Sequence, residues 1–151
     1  MRPIKFRAYD AKNKRMWVGI TDLHFRNGEM IHARGQGEYY GRVQPIGSHA
    51  DYNPTHKTDI IVMQFTGLKD KSGKEIYEGD IVRLEGWWNA AGPAGYDKPE
   101  VCVEWSAEHC GFDPFANYDT DCAVIHYASD CEVLGNIYEN PELVDAQIDV
   151  D

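Results

Sequence analysis

The sequence predicts a mainly β protein with little helix: a small SH3-like β-barrel in its C-terminal part, with N-terminal β-hairpins packed on it. Three observations lead there. Apolar residues recur at period two or in runs of strand length, and no stretch sustains the 3.6-residue period of a long amphipathic helix. Turn chemistry rich in Gly, Asn, Asp and Ser punctuates those runs at short intervals. Within the second part, a Glu78-Gly79-Asp80 bend separates two apolar segments that diverge from it, a pattern analogous to small barrels of the SH3 type. The 151 residues fit a single domain. It divides into a hairpin region over 1–58, a barrel region over 59–144 and an acidic tail over 145–151.

Each element has its own reason. Lys5-Phe6-Arg7-Ala8-Tyr9-Asp10 alternates charge with apolar bulk, as a half-buried strand does, and Met16-Trp17-Val18-Gly19-Ile20 returns after a polar turn. Leu23-His24-Phe25-Arg26 and Met30-Ile31-His32-Ala33 flank Asn27-Gly28, a dipeptide that accepts the two positive φ angles of a type I′ hairpin. From Gly35 to Lys57 no period survives, and apart from a short strand around Tyr39-Tyr40 and Val43 the segment reads as loop. Ile60-Ile61-Val62-Met63-Gln64-Phe65 is a strand ending at Thr66-Gly67. Lys69 to Lys74 turns the chain at Gly73, Ile76-Tyr77 resumes apolar character, and Ile81-Val82-Arg83-Leu84 forms the next strand. Gly67, Gly73, Gly79 and Asp80 are accordingly read as turn-formers. They lack the Gly-Lys-Ser/Thr ending of a phosphate-cradling loop.

A second long connection, Gly86 to Pro99, carries Trp87, Trp88 and Tyr96 among Gly, Ala and Pro. Adjacent Trp residues in an extended chain point to opposite faces, so these three are the candidate binding residues, as a partner anchor or a stacking surface. Capping of the barrel or burial in a contact between copies is the more ordinary account of them, since large aromatics are usually buried. Val101-Cys102-Val103-Glu104-Trp105 alternates as a strand that puts Val101, Val103 and Trp105 on one face. Ser106 to Asp121 reads as loop, and Cys122 to Tyr127 and Cys131 to Ile137 as two strands. Asn140-Pro141-Glu142-Leu143-Val144 can open one helical turn with Asn140 as its N-cap.

Charge is divided unevenly. Residues 1–83 hold 14 Lys/Arg against 10 Asp/Glu, whereas 84–151 hold one, Lys98, against 15, so the net −10 resides in the C-terminal part. That part cannot supply a phosphate-binding footprint; the asymmetry fits attraction between the two parts of one fold, contacts between copies, or an acidic face aimed at a basic partner. The mildly basic N-terminal part keeps a nucleic-acid role open, though it is not favoured. No run is long enough to span a membrane and the N-terminus lacks a signal-type apolar core, so a cytoplasmic protein with no membrane partner is expected.

The sequence carries no recognisable catalytic or metal-binding motif. Cys102, Cys110, Cys122 and Cys131 have no CxxC spacing and read as small apolar residues of a reduced protein, with a mixed Cys/His zinc site as the alternative. His24, His32, His49, His56, His109 and His126 form no HExxH or paired ligand spacing. Asp119 and Asp121 read as solvated acids. No Ser, Cys or Thr has a base at a hydrolase spacing. No enzyme, no cofactor and no metal is the expectation.

Three blocks resemble the YopX family of phage and prophage proteins: Ile4 to Asp10, Met63 to Val82, and Glu132 to Leu143, with Val103-Glu104-Trp105 similar to a further strand of that family. The resemblance implies a β-rich, self-associating accessory protein of a phage genome, cytoplasmic in its bacterial host, with no catalytic residues to carry over. Its implied partners are further copies of itself or a host or phage protein. The Gly86 to Pro99 connection and the acidic extension after Leu143 depart from that pattern.

Overall fold

The computed structural model describes residues 1–11, 13–35, 40–43, 59–84, 100–116 and 128–145. The fold is mainly β, with almost no helix among the described residues. The chain divides into two compact units, Met1–Gln64 and Phe65–Asp151.

In the first unit, β1 (Phe6–Asp10), β2 (Arg15–Val18), β3 (Asp22–Arg26), β4 (Glu29–Arg34), β5 (Tyr40–Val43) and the start of β6 (Asp59–Lys69) form one sheet in the order β2-β1-β6-β5-β4-β3. Strand β1 is antiparallel to both neighbours, with Ala8 opposite Trp17 on β2 and Val62 on β6. These three pack with Ala33 and Ile60 into a core that Phe6, Ile20, Leu23 and Met30 flank. Strands β5 and β6 pair in parallel, which the 43-to-59 connection makes feasible because it is long enough for a crossover.

The half-buried reading of β1 needs correction: Arg7 and Asp10 are buried along with Ala8 and Tyr9. Asp10 tolerates burial because it organises the following turn. Its carboxylate accepts the backbone N–H of Asn13 at 3.1 Å and the side-chain amide of Asn13 at 2.7 Å, with Arg15 Nε 3.8 Å away. The β3–β4 hairpin turns at Asn27 (φ 52°) and Gly28 (φ 83°), the pair of positive angles that this dipeptide predicts.

In the second unit, the end of β6 pairs with β7 (Glu75–Tyr77). Strands β8 (Asp80–Leu84), β9 (Glu100–Cys102) and β12 (Cys131–Asn136) form a sheet in the order β12-β8-β9, and β10 (Glu104–Ser106) pairs with β11 (Gly111–Asp113). Ile76, Val82, Leu84, Val103, Phe112, Cys131 and Val133 make its core. Only α1 (Glu142–Asp145) and a 3-10 turn at Ala128–Asp130 depart from β structure among the described residues.

Four expectations change here. Strand β6 does not stop at Thr66-Gly67. It runs on to Lys69 through a bulge, where the Thr66 hydroxyl donates to the Ile76 carbonyl at 2.8 Å and accepts the Leu68 N–H at 3.1 Å. The strand expected over 101–105 breaks at Val103, because the Val103 N–H bonds the Asp80 carbonyl and its carbonyl takes the Gly79 N–H, both at 2.8 Å. The segment after Ser106 holds a strand, β11, rather than loop throughout. Asn140 does precede a single helical turn, but its side-chain oxygen accepts the Asn136 N–H at 3.3 Å, so it fastens the turn before the helix. The Cys122 to Tyr127 strand lies outside the described residues.

Candidate functional site

Trp87, Trp88 and Tyr96, the binding candidates read from sequence, lie outside the described residues. The turn candidates are all described. Gly67, Gly73 and Gly79 carry φ of 88°, 86° and 83°, angles that L side chains rarely adopt.

Asp70 is the polar centre of this stretch. One carboxylate oxygen accepts the Ser72 N–H (2.9 Å), the Ser72 hydroxyl (2.8 Å) and the Lys74 N–H (2.9 Å), and the other accepts the Val133 N–H (3.0 Å). The side chain shapes the turn with one oxygen and bolts it to β12 with the other. Burial on its own would raise its pKa. The donors from Val133, Ser72 and Lys74 outweigh that and hold it at about 2, below the ordinary 3.8. Lys71 adds a backbone bond to the Cys131 carbonyl at 3.0 Å.

Asp80 repeats the device: its carboxylate accepts the Tyr77 N–H at 2.8 Å, while the Gly79 carbonyl takes the Ile137 N–H at 3.0 Å. At the end of β12, Asn136 Oδ1 accepts the N–H groups of Tyr138 and Glu139 at 3.1 and 2.9 Å. These three polar residues are structural ties. None has a vacant geometry aimed at a substrate.

The β10–β11 hairpin is where exposed chemistry gathers. Trp105 is 56% exposed, and its ring meets buried Phe112 edge-on at 5.3 Å across the hairpin. Sequence alternation placed Trp105 with Val101 and Val103; the break at Val103 turns it outward instead. Below it, His109 Nδ1 lies 3.2 Å from Ser106 Oγ and 2.8 and 3.0 Å from the two carboxylate oxygens of Asp113.

Serine, histidine and aspartate within reach of one another invite a hydrolytic reading, and the geometry rejects it. A relay needs the hydroxyl on one ring nitrogen and the acid on the other, so that a proton taken from serine at one side is balanced at the opposite side. Here both partners address Nδ1. Ser106 Oγ also accepts the His109 N–H at 3.2 Å, so the trio closes the hairpin turn. The two partially or fully buried thiols in this unit are no better as nucleophiles. Burial, then the neighbouring Glu104 charge, pushes Cys102 up, and Cys131 donates to the Ala128 carbonyl at 3.1 Å. Among the described residues no group of three or more His, Cys, Asp or Glu could hold a metal ion, and no helix is long and apolar enough to cross a membrane.

The YopX family model, described as YopX protein, matches residues 5–145, nearly the whole chain. The chain belongs to the YopX family. Two of the three blocks of the YopX resemblance, and the Val103 strand, are segments that these ties join: Asp70 of the central block to Val133 of the last, Gly79 to Ile137, and Asp80 to Val103. The crystal structure of protein EF1440 from Enterococcus faecalis is similar to this YopX chain, with 26% identity, a TM-score of 0.58, and coverage of 95% of this chain and 99% of that one. No match was found among curated proteins.

Proposed function

We propose that this YopX chain is a non-enzymatic accessory protein of a phage or prophage, cytoplasmic in its host, that works by contact between proteins, with its own copies or with a host or phage protein. The observation that carries the reading is Trp105. A large aromatic ring stands 56% exposed on a hairpin whose turn is fixed by Ser106, His109 and Asp113 and whose base is anchored by Phe112. A pre-oriented Trp gives a partner apolar area at little ordering cost, which is the profile of a binding anchor. The adjoining polar trio supports the same reading, because Ser106 and Asp113 both address one ring nitrogen of His109, an arrangement that orients the turn and does not set the serine hydroxyl against the opposite nitrogen.

The test is affinity capture of the tagged chain from lysogenic cells, comparing wild type with Trp105→Ala. A protein retained by the wild type and depleted at least severalfold by the variant, at unchanged circular dichroism, is the expected outcome. Identical recovery from both overturns the role of Trp105. Light scattering over a concentration series tests the self-association clause, which a monomer throughout would remove. The second reading, association with nucleic acid, draws on the first unit, where ten Lys/Arg face six Asp/Glu and Phe25 is exposed. Retention of single-stranded or duplex nucleic acid on a filter at low salt would favour it.

A further inference from the structure

We infer that β3 is a self-complementary edge at which two copies of the chain join antiparallel about His24. The inference rests on the self-association clause above and gives it a location. Strand β3 ends the sheet order of its unit, and among the described residues no strand pairs on its outer side. Four of its five residues are exposed, and Phe25 is 52% exposed. Such an edge presents unpaired backbone groups, which proteins usually blunt or cover.

The order of residues says what covers it. Read in one direction β3 is Asp22-Leu23-His24-Phe25-Arg26. Laid antiparallel on a second copy with His24 opposite His24, Asp22 faces Arg26 of the second copy at both ends, and Leu23 faces its Phe25. Every charge meets its opposite and every apolar residue meets an apolar one. Shifting the register by two residues leaves a charged residue without its opposite, and parallel pairing puts like on like, so the sequence selects a single arrangement.

The backbone permits that arrangement. Arg26 and Glu29 close a two-residue hairpin, so they form a hydrogen-bonded pair, and by alternation Leu23 and Phe25 turn their N–H and C=O groups to the open edge. Exchange between Leu23 and Phe25 of the two copies would then make about four backbone hydrogen bonds. The irregularity in this hairpin lies on β4, where Ile31 is the extra residue between the partners of His24 and Phe25, so β3 itself stays regular. Within each copy the same face already alternates in sign across the strands. Asp22 is opposite Arg34, His24 opposite His32 with ring centroids 6.1 Å apart, and Arg26 opposite Glu29. Asp22 also accepts the Thr21 hydroxyl at 3.0 Å, which leaves its other oxygen for an arginine. Joining two copies extends this pattern as Arg34, Asp22, then Arg26 and Glu29 of the second copy.

Charge exchange tests it with the full chain. Asp22→Arg puts Arg at both ends of β3, and Arg26→Asp puts Asp at both ends. Each variant alone should dimerise more weakly than wild type, by on the order of tenfold for two converted surface pairs. An equimolar mixture should recover association near the wild-type level as a heterodimer, since every end then meets its opposite. Sedimentation velocity of the wild type, each variant and the mixture reads this directly, and circular dichroism confirms that both variants fold. A wild type that associates, with a mixture no tighter than either variant alone, overturns the β3 register and leaves self-association standing. A wild type that is monomeric at every concentration overturns both.

Discussion

Replacing Asp70 with Asn removes a single charge from a site where both oxygens are in use, and the structure says what that should cost. The amide can keep its carbonyl toward Ser72 and Lys74, but its NH2 group must then face the Val133 N–H, donor against donor. Asp70 is 5% exposed, so little water can reach the abandoned N–H. An unsatisfied buried donor costs about 1–3 kcal/mol. The wild-type carboxylate contributes separately through linkage: a pKa of about 2 in the fold against 3.8 in the open chain corresponds to about 2 kcal/mol at neutral pH. The folded value is the lower one, so the unfolded chain takes the proton more readily. This contribution is therefore complete above about pH 5 and fades as pH falls through about 4 to about 2. Urea unfolding at a series of pH values, for wild type and Asp70→Asn, should show the variant less stable by about 3–5 kcal/mol at neutral pH. The gap should narrow by about 2 kcal/mol on acidification. A gap that stays constant with pH would refute the charge argument, and no gap at neutral pH would refute the role of the Val133 bond.

Two further outcomes follow from other sites. A Cβ added at Gly135 would run into the Asn140 side chain, so Gly135→Ala should lower stability by about 1–3 kcal/mol in thermal or urea unfolding. The cost should shrink when Asn140→Ala is made in the same chain, and an undiminished cost would show that the obstruction lies elsewhere. Among the described cysteines, alkylation at neutral pH followed by peptide mass spectrometry should label exposed Cys110 first, with buried Cys131 and the up-shifted Cys102 thiol lagging; Cys102 reacting ahead of Cys110 would contradict the burial effect assigned to it.

How much of this was legible in the sequence depends on the range of the interaction that decides each feature. Asn27-Gly28 fixes its hairpin through two backbone angles, period-two alternation marks β1, and the apolar run Met16-Trp17-Val18 after a polar turn marks β2, so these local elements can be read directly. Gly73 similarly marks its turn. The tie between Asp70 and Val133 spans 63 residues and leaves no local pattern; Asp70 in isolation looks like one more polar turn residue. The break at Val103 depends on Gly79 and Asp80 occupying its backbone groups, so alternation predicted the wrong face for Trp105. The parallel β5–β6 pairing is equally silent in a linear reading. Ser106, His109 and Asp113 sit within one short hairpin, at a spacing available to inspection, yet no hydrolase spacing draws attention to them, and only distances to a single nitrogen show that they orient a turn.

Strand β6 has a consequence for the order in which the chain can acquire structure. It is the strand that links β1 on one side to β5 on the other, and it leaves the ribosome about fifty residues after β1 does. Until then β1 has only β2 as a neighbour, and one of its edges is unpaired. The β3–β4 hairpin, closed by its own two-residue turn, can form during that wait, whereas the rest of the sheet depends on contacts distant in sequence and forms late. A nascent chain stalled before Asp59 would therefore hold open edges beside a preformed hairpin, the condition in which strands pair between chains and a chaperone has most to protect.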